Sequence, residues 1–142
     1  METDYNYPLS RDDVHHLLQA RQILPTQQRV AIAEFMFQRS QHLVAEAVRL
    51  GVNEAGCPVS KATVYNTLGL FVRKGLLREV LVDSGRTFYD SNPKPHHHLF
   101  NLDSGELLDI DAAGIDIKGL PTLSGVVLQG VELLIKVRNV DL

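Results

Sequence analysis

Three consecutive histidines, His96, His97 and His98, lie inside the sequence in the stretch "KPHHHLFNLDSGEL". A neutral imidazole nitrogen binds divalent metals and haem iron, so this tract is a candidate chelator. If the stretch is a strand, alternate side chains share a face, and His96 and His98 point one way while His97 points the other. A hairpin turning about Ser104 and Gly105 sets His98 opposite Asp111 and Phe100 opposite Asp109, which leaves Asp109 diagonal to His98 on the same face. Asp90 and His42 reach that point only if two domains fold together. Up to five nitrogen and oxygen ligands without a thiolate suit divalent iron, manganese or zinc, and offer little to copper(I). The single cysteine, Cys57, excludes an internal disulfide and a cysteine-rich zinc cage within one chain.

These residues need elements to hold them. Ser10 before "RDDVHHLLQA" is an N-cap with acids in the first turn, which predicts a first helix ending near Arg21. Thr26 caps a second, with Ile32, Phe35 and Met36 at helical spacing and its end near Phe37. "HLVAEAVRLG" predicts a third, stopped by Gly51, with His42 in the loop before it. Ser60 caps a fourth, whose apolar face is Val64, Leu68, Phe71 and Val72 and whose polar face carries Lys61, Thr63, Tyr65 and Asn66. "LLREVLV" and "RTFYD" flank the turn "DSG" as a hairpin. Helices followed by a two-stranded wing are the order of a winged helix-turn-helix, in which the helix before the wing enters the major groove of double-stranded DNA. The donors and acceptors of that fourth helix fit the task, and a solvated helix face is the plain alternative.

The prolines of "SNPKP" mark a hinge at 91–95 between a winged-helix domain, 1–90, and a second domain, 96–142. In the latter, a hairpin, at most a short helix in "AAGIDIKGL", and closing strands in "VVLQ" and "VELLIKV" are expected. Val131, Leu133, Ile135 and Val137 should line one face over a core or a partner subunit. The fold class is thus α+β. Charge divides the same way: from Arg21 to Val80 eight basic residues face four acidic ones, and from Ser91 onward four basic face seven acidic, within a net charge of −3. A basic first half suits DNA, the acidic second half something else. No run approaches the roughly 18 apolar residues of a membrane helix, and "METDYNYPLS" lacks the blocks of a secretory signal, so a soluble cytoplasmic protein is expected.

"LPTQQRVAI", "HLVAE", "SKATVYNTL", "KGLLREV", "RTFYD" and "HHHLFNLDSGELLDID" follow in the order and at about the spacing of the ferric uptake regulator family, which the chain resembles from Gln19 to Val137. The resemblance implies a homodimeric, metal-responsive transcriptional regulator, not an enzyme. It implies an N-terminal winged helix, a small α/β dimerisation domain and a palindromic operator. It places a regulatory divalent metal on His42, Asp90, His96, His98 and Asp109, and DNA contacts on Arg29, Ser60, Lys61, Thr63, Tyr65 and Asn66. Where the family usually holds a structural zinc with two Cys-x-x-Cys pairs, this chain has Asn101 and Ser104, then Asn139 to Leu142, so no structural zinc is expected and packing and dimerisation must hold the domain. Leu24 stands where a basic residue often probes the minor groove. The missing cysteines and the triple histidine look most like the iron response regulator branch, which implies a role in iron homeostasis and haem at His97, His98 or Cys57. Cys57-Pro58 also fits a small apolar loop residue before a helix start. A peroxide-sensing or manganese-responsive repressor is the alternative within the family. A constitutive DNA-binding protein with a decayed metal site and a mononuclear metal hydrolase or oxygenase are the alternatives outside it.

Overall fold

A computed structural model describes residues 5–83 and 85–141. It divides into two compact units, between Pro93 and Lys94. The first holds α1 (Arg11–Ala20), α2 (Gln27–Met36), β1 (His42–Val44), α3 (Ala45–Glu54), α4 (Lys61–Arg73), β2 (Arg78–Asp83) and β3 (Arg86–Asp90). The second holds β4 (His96–Asn101), β5 (Leu107–Asp111), a single 3-10 turn (Ala112–Gly114) and β6 (Leu134–Val137). The class is α+β, with helices and a small wing sheet in the first unit and a three-stranded sheet in the second.

The helix starts follow their capping chemistry. Ser10, Thr26 and Ser60 each accept from the backbone N–H three residues on, at Asp13, Arg29 and Thr63, and so satisfy a donor that no helical carbonyl can reach. At α1 the cap is reciprocal, because the Asp13 carboxylate accepts from the Ser10 N–H at 3.1 Å. That bond, with the serine hydroxyl, holds the Asp13 carboxyl below its usual range. Val14, Leu18, Ile32, Met36, Val64 and Phe71 are fully buried where the four helices meet. Among the described residues no helix is long and apolar enough to cross a membrane.

Three local expectations change. Gly51 does not stop a helix: α3 runs through it to Glu54. A Cβ there would overlap the Phe35 ring, so the glycine serves the close approach of α2 to α3 rather than termination. His42 is in β1, not in a loop, because the wing strand β3 accepts a third strand on its free edge and gives the sheet order β1-β3-β2. "VVLQ" forms no strand; only Leu134–Val137 pairs, and it pairs parallel to β4, opposite in sense to β5. Of the wing turn, Ser84 lies outside the described residues, and so does Leu142 of the C-terminal "NVDL".

Ser91 belongs to the first unit by its hydrogen bonds. Its N–H donates to the Gln41 carbonyl at 3.0 Å, its hydroxyl to the Arg39 carbonyl at 3.0 Å, and its own carbonyl accepts from the Tyr7 hydroxyl at 2.7 Å. The second unit has a thin apolar interior of its own, with Phe100 and Leu107 buried and Leu123, Val127, Leu128 and Val140 more than half exposed.

Candidate metal centre and nucleic-acid interface

β4 pairs with β5 so that His98 faces Asp109 and His96 faces Asp111. Asp109 is therefore directly opposite His98, two residues from the expected register but on the same face. The shift has a local cause. Asn101 folds its side-chain oxygen over the turn and accepts from the N–H groups of Asp103 and Ser104, at 2.8 and 3.1 Å. This Asx turn centres the loop earlier than Gly105 alone would.

Three ligand atoms converge as a result. The Nε2 atoms of His96 and His98 are 3.1 Å apart, and Asp109 Oδ1 lies 3.2 Å from the second and 3.7 Å from the first. Both histidines are buried and Asp109 is about a third exposed. His96 Nδ1 is 2.6 Å from the Lys94 carbonyl, which can only accept, so Nδ1 carries the hydrogen and, in the neutral ring, Nε2 has the lone pair on the side of the cluster. Metal–nitrogen bonds of about 2.0–2.1 Å in a tetrahedral shell separate neighbouring ligand atoms by roughly 3.3–3.4 Å. The observed spacings bracket that value, so the donor set fits a divalent ion.

His97 points to the opposite face, where its Nδ1 accepts from the Leu133 N–H at 3.1 Å. That bond uses one lone pair and leaves the hydrogen on Nε2. His97 thus fastens β4 to the chain entering β6. Sequence alternation separates it from its neighbours but gives no sign of this partner.

Asp90 and His42 lie in the first unit, directly opposite one another across β1 and β3, with Arg78 opposite Asp90 on its other side. Asp90 is almost completely buried, and its Oδ1 accepts from the Asn92 N–H at 2.8 Å. The His42 ring stands edge-on to Phe88, with centroids 6.0 Å apart.

The residues expected to meet DNA occupy one end of α4 and the start of α2. A polar groove of about 330 Å³ brings together Arg29, Thr63 and Asn66 with Thr26, Gln28 and Thr67. The last three were not anticipated; the N-cap position of Thr26 was the only available signal for any of them. Arg29 is braced by a bond from Nη1 to the Leu24 carbonyl at 3.1 Å. Tyr65 and Asn66 are exposed, and the Lys61 ammonium stands 6.0 Å from the Tyr65 ring centre. The Ser60 and Thr63 hydroxyls bond each other at 3.0 Å, so both serve the cap first. Tyr65 also borders a cleft with Arg86 and Thr87 of the wing, which the sequence did not place beside it. Cys57 is half-buried in the loop before α4.

A winged helix followed by a small sheet unit with a histidine–carboxylate cluster defines a class, and the comparisons place the chain within it: residues 20–133 match the ferric uptake regulator family, and the chain belongs to that family. Its fold matches the ferric uptake regulator of Pseudomonas aeruginosa with manganese, at a TM-score of 0.73 and 26% identity, over 88% of this chain and 96% of that one. It also matches the regulator of Vibrio cholerae, with a TM-score of 0.71 over 88% and 98% of the two chains, where 23% identity speaks for the fold alone. The peroxide operon regulator of Bacillus subtilis is 29% identical over 91 residues, 64% of this chain and 63% of that protein. The ferric uptake regulation protein of Synechococcus elongatus is 31% identical over 77 residues, 53% and 52% of the two. The chain therefore spans less than two thirds of these curated relatives. Members of the family are transcription regulators, not enzymes.

Proposed function

We propose that this protein is a metal-responsive, DNA-binding transcriptional regulator of iron homeostasis that works as a homodimer on a palindromic operator. The observation that carries the reading is the meeting of His96 Nε2, His98 Nε2 and Asp109 Oδ1 within 3.7 Å, with the first nitrogen's lone pair fixed by the Lys94 carbonyl. Asp90 and His42, paired across β1 and β3, are the further ligands that the family resemblance implies. These imidazoles and carboxylates would hold a divalent ion, iron, manganese or zinc, which would supply positive charge to them. The chain's own part is to orient two winged helices so that Tyr65 and Asn66 reach base edges while Arg29, Ser60, Lys61 and Thr63 hold phosphates. The exposed Leu123, Val127 and Leu128 favour a second copy as the cover of the small domain.

A haem response of the iron response regulator kind is the narrower part of the proposal. His97 and His98 are its candidate histidines: His98 would offer haem iron a nitrogen in competition with the divalent ion, and His97 would have to give up its bond to Leu133. Cys57 is the other candidate. The test is selection of bound duplexes from a random DNA pool, followed by affinity measured with manganese(II), with chelator and with haem. Tight binding with manganese that weakens on chelation is expected, and haem should weaken it further. Affinity indifferent to manganese and chelator overturns the sensing role, and failure to select any duplex overturns the DNA-binding role.

A further inference from the structure

The polar groove between the start of α2 and α4 has one lining residue whose own fold gives it nothing to do. Thr67 is the only polar side chain among the buried positions of α4, in the company of Val64, Leu68 and Phe71. It is 5% exposed, and its hydroxyl has no hydrogen-bond partner among the described residues. No fully buried side-chain oxygen among them lacks a partner, so the little surface that Thr67 keeps includes its hydroxyl, which opens on the groove. Two more hydroxyls line the same space with their hydrogens uncommitted. Thr26 Oγ1 accepts from the Arg29 N–H at 3.3 Å, and Thr63 Oγ1 accepts from the Ser60 hydroxyl at 3.0 Å. Neither bond uses the threonine's own O–H. Arg29 gives one of its five guanidinium N–H donors to the Leu24 carbonyl and keeps the others. No lining residue is acidic.

We propose that this groove seats one phosphodiester of the DNA backbone, with Thr67 as the contact that sets how deep α4 lies in the major groove; the proposal rests on the DNA-binding function stated above. A hydroxyl shut away without a partner costs free energy, and an acceptor arriving from outside removes that cost. Phosphate oxygens are taken by threonine, glutamine and arginine side chains and by helix N-termini. The first turn of α2 borders the groove through Thr26 and Gln28, so the positive end of that helix adds to the Arg29 charge. One guanidinium matches the single negative charge of a diester, whereas free hydrogenphosphate carries two. At about 30 Å³ per water, the groove's 330 Å³ equals about eleven waters, more than a free tetrahedral ion fills, which leaves room for the flanking sugars. Thr26 from α2 and Thr67 from α4 then hold the same group. The phosphate ties both helices to one point on the backbone and fixes register without reading sequence.

The experiment uses the full chain with manganese(II) and the selected duplex, in which single backbone phosphates are replaced one at a time by neutral methylphosphonate. At one phosphate in each half-site the replacement should weaken the parent protein about tenfold and Thr67→Val much less, as expected of a group and its own contact. Thr67→Val should itself weaken duplexes of different sequence by a common factor of about ten, with an unchanged salt slope because no charge is lost. Thr67→Ser keeps the hydroxyl and should restore binding. Because that hydroxyl serves no partner within the protein, the valine variant should melt no lower than the parent, which separates a lost contact from a lost fold. Gln28→Ala, at an exposed position, should show the same coupling more weakly and preserves the test if Thr67→Val does not fold. A tightly bound duplex in which no phosphate couples to Thr67 or Gln28 overturns the seat and leaves the DNA-binding function standing; failure to select any duplex overturns both. Saturable binding of inorganic phosphate without DNA, lost in Thr67→Val, overturns the diester in favour of the free ion.

Discussion

Replacing Gly51 by alanine tests the way the helices of the first unit are packed. In an unencumbered helix this change stabilises by about 1 kcal/mol, because alanine loses less backbone freedom. Here the added Cβ falls on the Phe35 ring, overlapping three of its carbons. The ring is half-buried against the core, so it can swing outward, but it then gives up apolar contact with the helices around it. Overpacking costs about 1–3 kcal/mol, and overlap with three ring carbons puts this site in the upper part of that range, at about 2–3 kcal/mol. The net expectation is a loss of roughly 1–2 kcal/mol, which for a unit of this size lowers the midpoint of thermal unfolding by roughly 5–10 °C. Circular dichroism at 222 nm would follow it. Truncating the ring as well, in Gly51→Ala with Phe35→Ala, should show a strong favourable coupling, since the three atoms nearest to a Cβ at 51 all belong to that ring. A neutral or stabilised Gly51→Ala, or purely additive effects in the double-mutant cycle, refutes the close approach of α2 and α3.

Other perturbations probe the second unit and the first cap. Asp109→Asn should weaken manganese(II) by at least about tenfold in a calorimetric titration, since even groups that only orient ligands have effects of that size; unchanged affinity removes Asp109 from the ligand set. Asn101→Ala removes the acceptor of the Asp103 and Ser104 N–H groups and the bond to Asn139 Oδ1, so amide exchange across β4, β5 and β6 should speed up by about 1 kcal/mol equivalent. Exchange rates matching the parent protein would deny that link a structural role. Asp13 has its carboxyl lowered by the Ser10 bonds, so its contribution to stability is complete above the ordinary carboxyl range and is lost as pH falls through its folded-state value. Asp13→Asn should therefore flatten the acid limb of the stability profile, and an unaltered limb contradicts the reciprocal cap.

Much of this was legible wherever the cause was local. Ser10, Thr26 and Ser60 announced three helix starts because a cap is a contact three residues long. The pleat alone separated His97 from His96 and His98. What escaped depended on partners far away in sequence. β1 is three residues long and exists only because β3 offers an edge, so His42 carried no strand signal of its own. Gly51 has the residue type of a helix stop, and only the Phe35 ring, sixteen positions earlier, gives it a different task. The register of the metal hairpin moved because Asn101 turned its side chain onto the loop. The same Asn101 reaches Asn139 at 2.8 Å, while Asp103 accepts from Arg138 Nη1 and the Asn139 N–H at 2.9 and 2.8 Å. The positions where the family resemblance leads one to expect cysteine pairs thus touch through hydrogen bonds, a link that the expectation of packing and dimerisation alone did not include.

The parallel pairing of β6 with β4 sets an order of events during synthesis. β4 and β5 form a hairpin, and its residues are all translated once Asp111 has been added. Leu133 and β6 come more than twenty codons later and can reach β4 only after the intervening chain has crossed over. A nascent chain can therefore bring His96, His98 and Asp109 together before His97 has met Leu133.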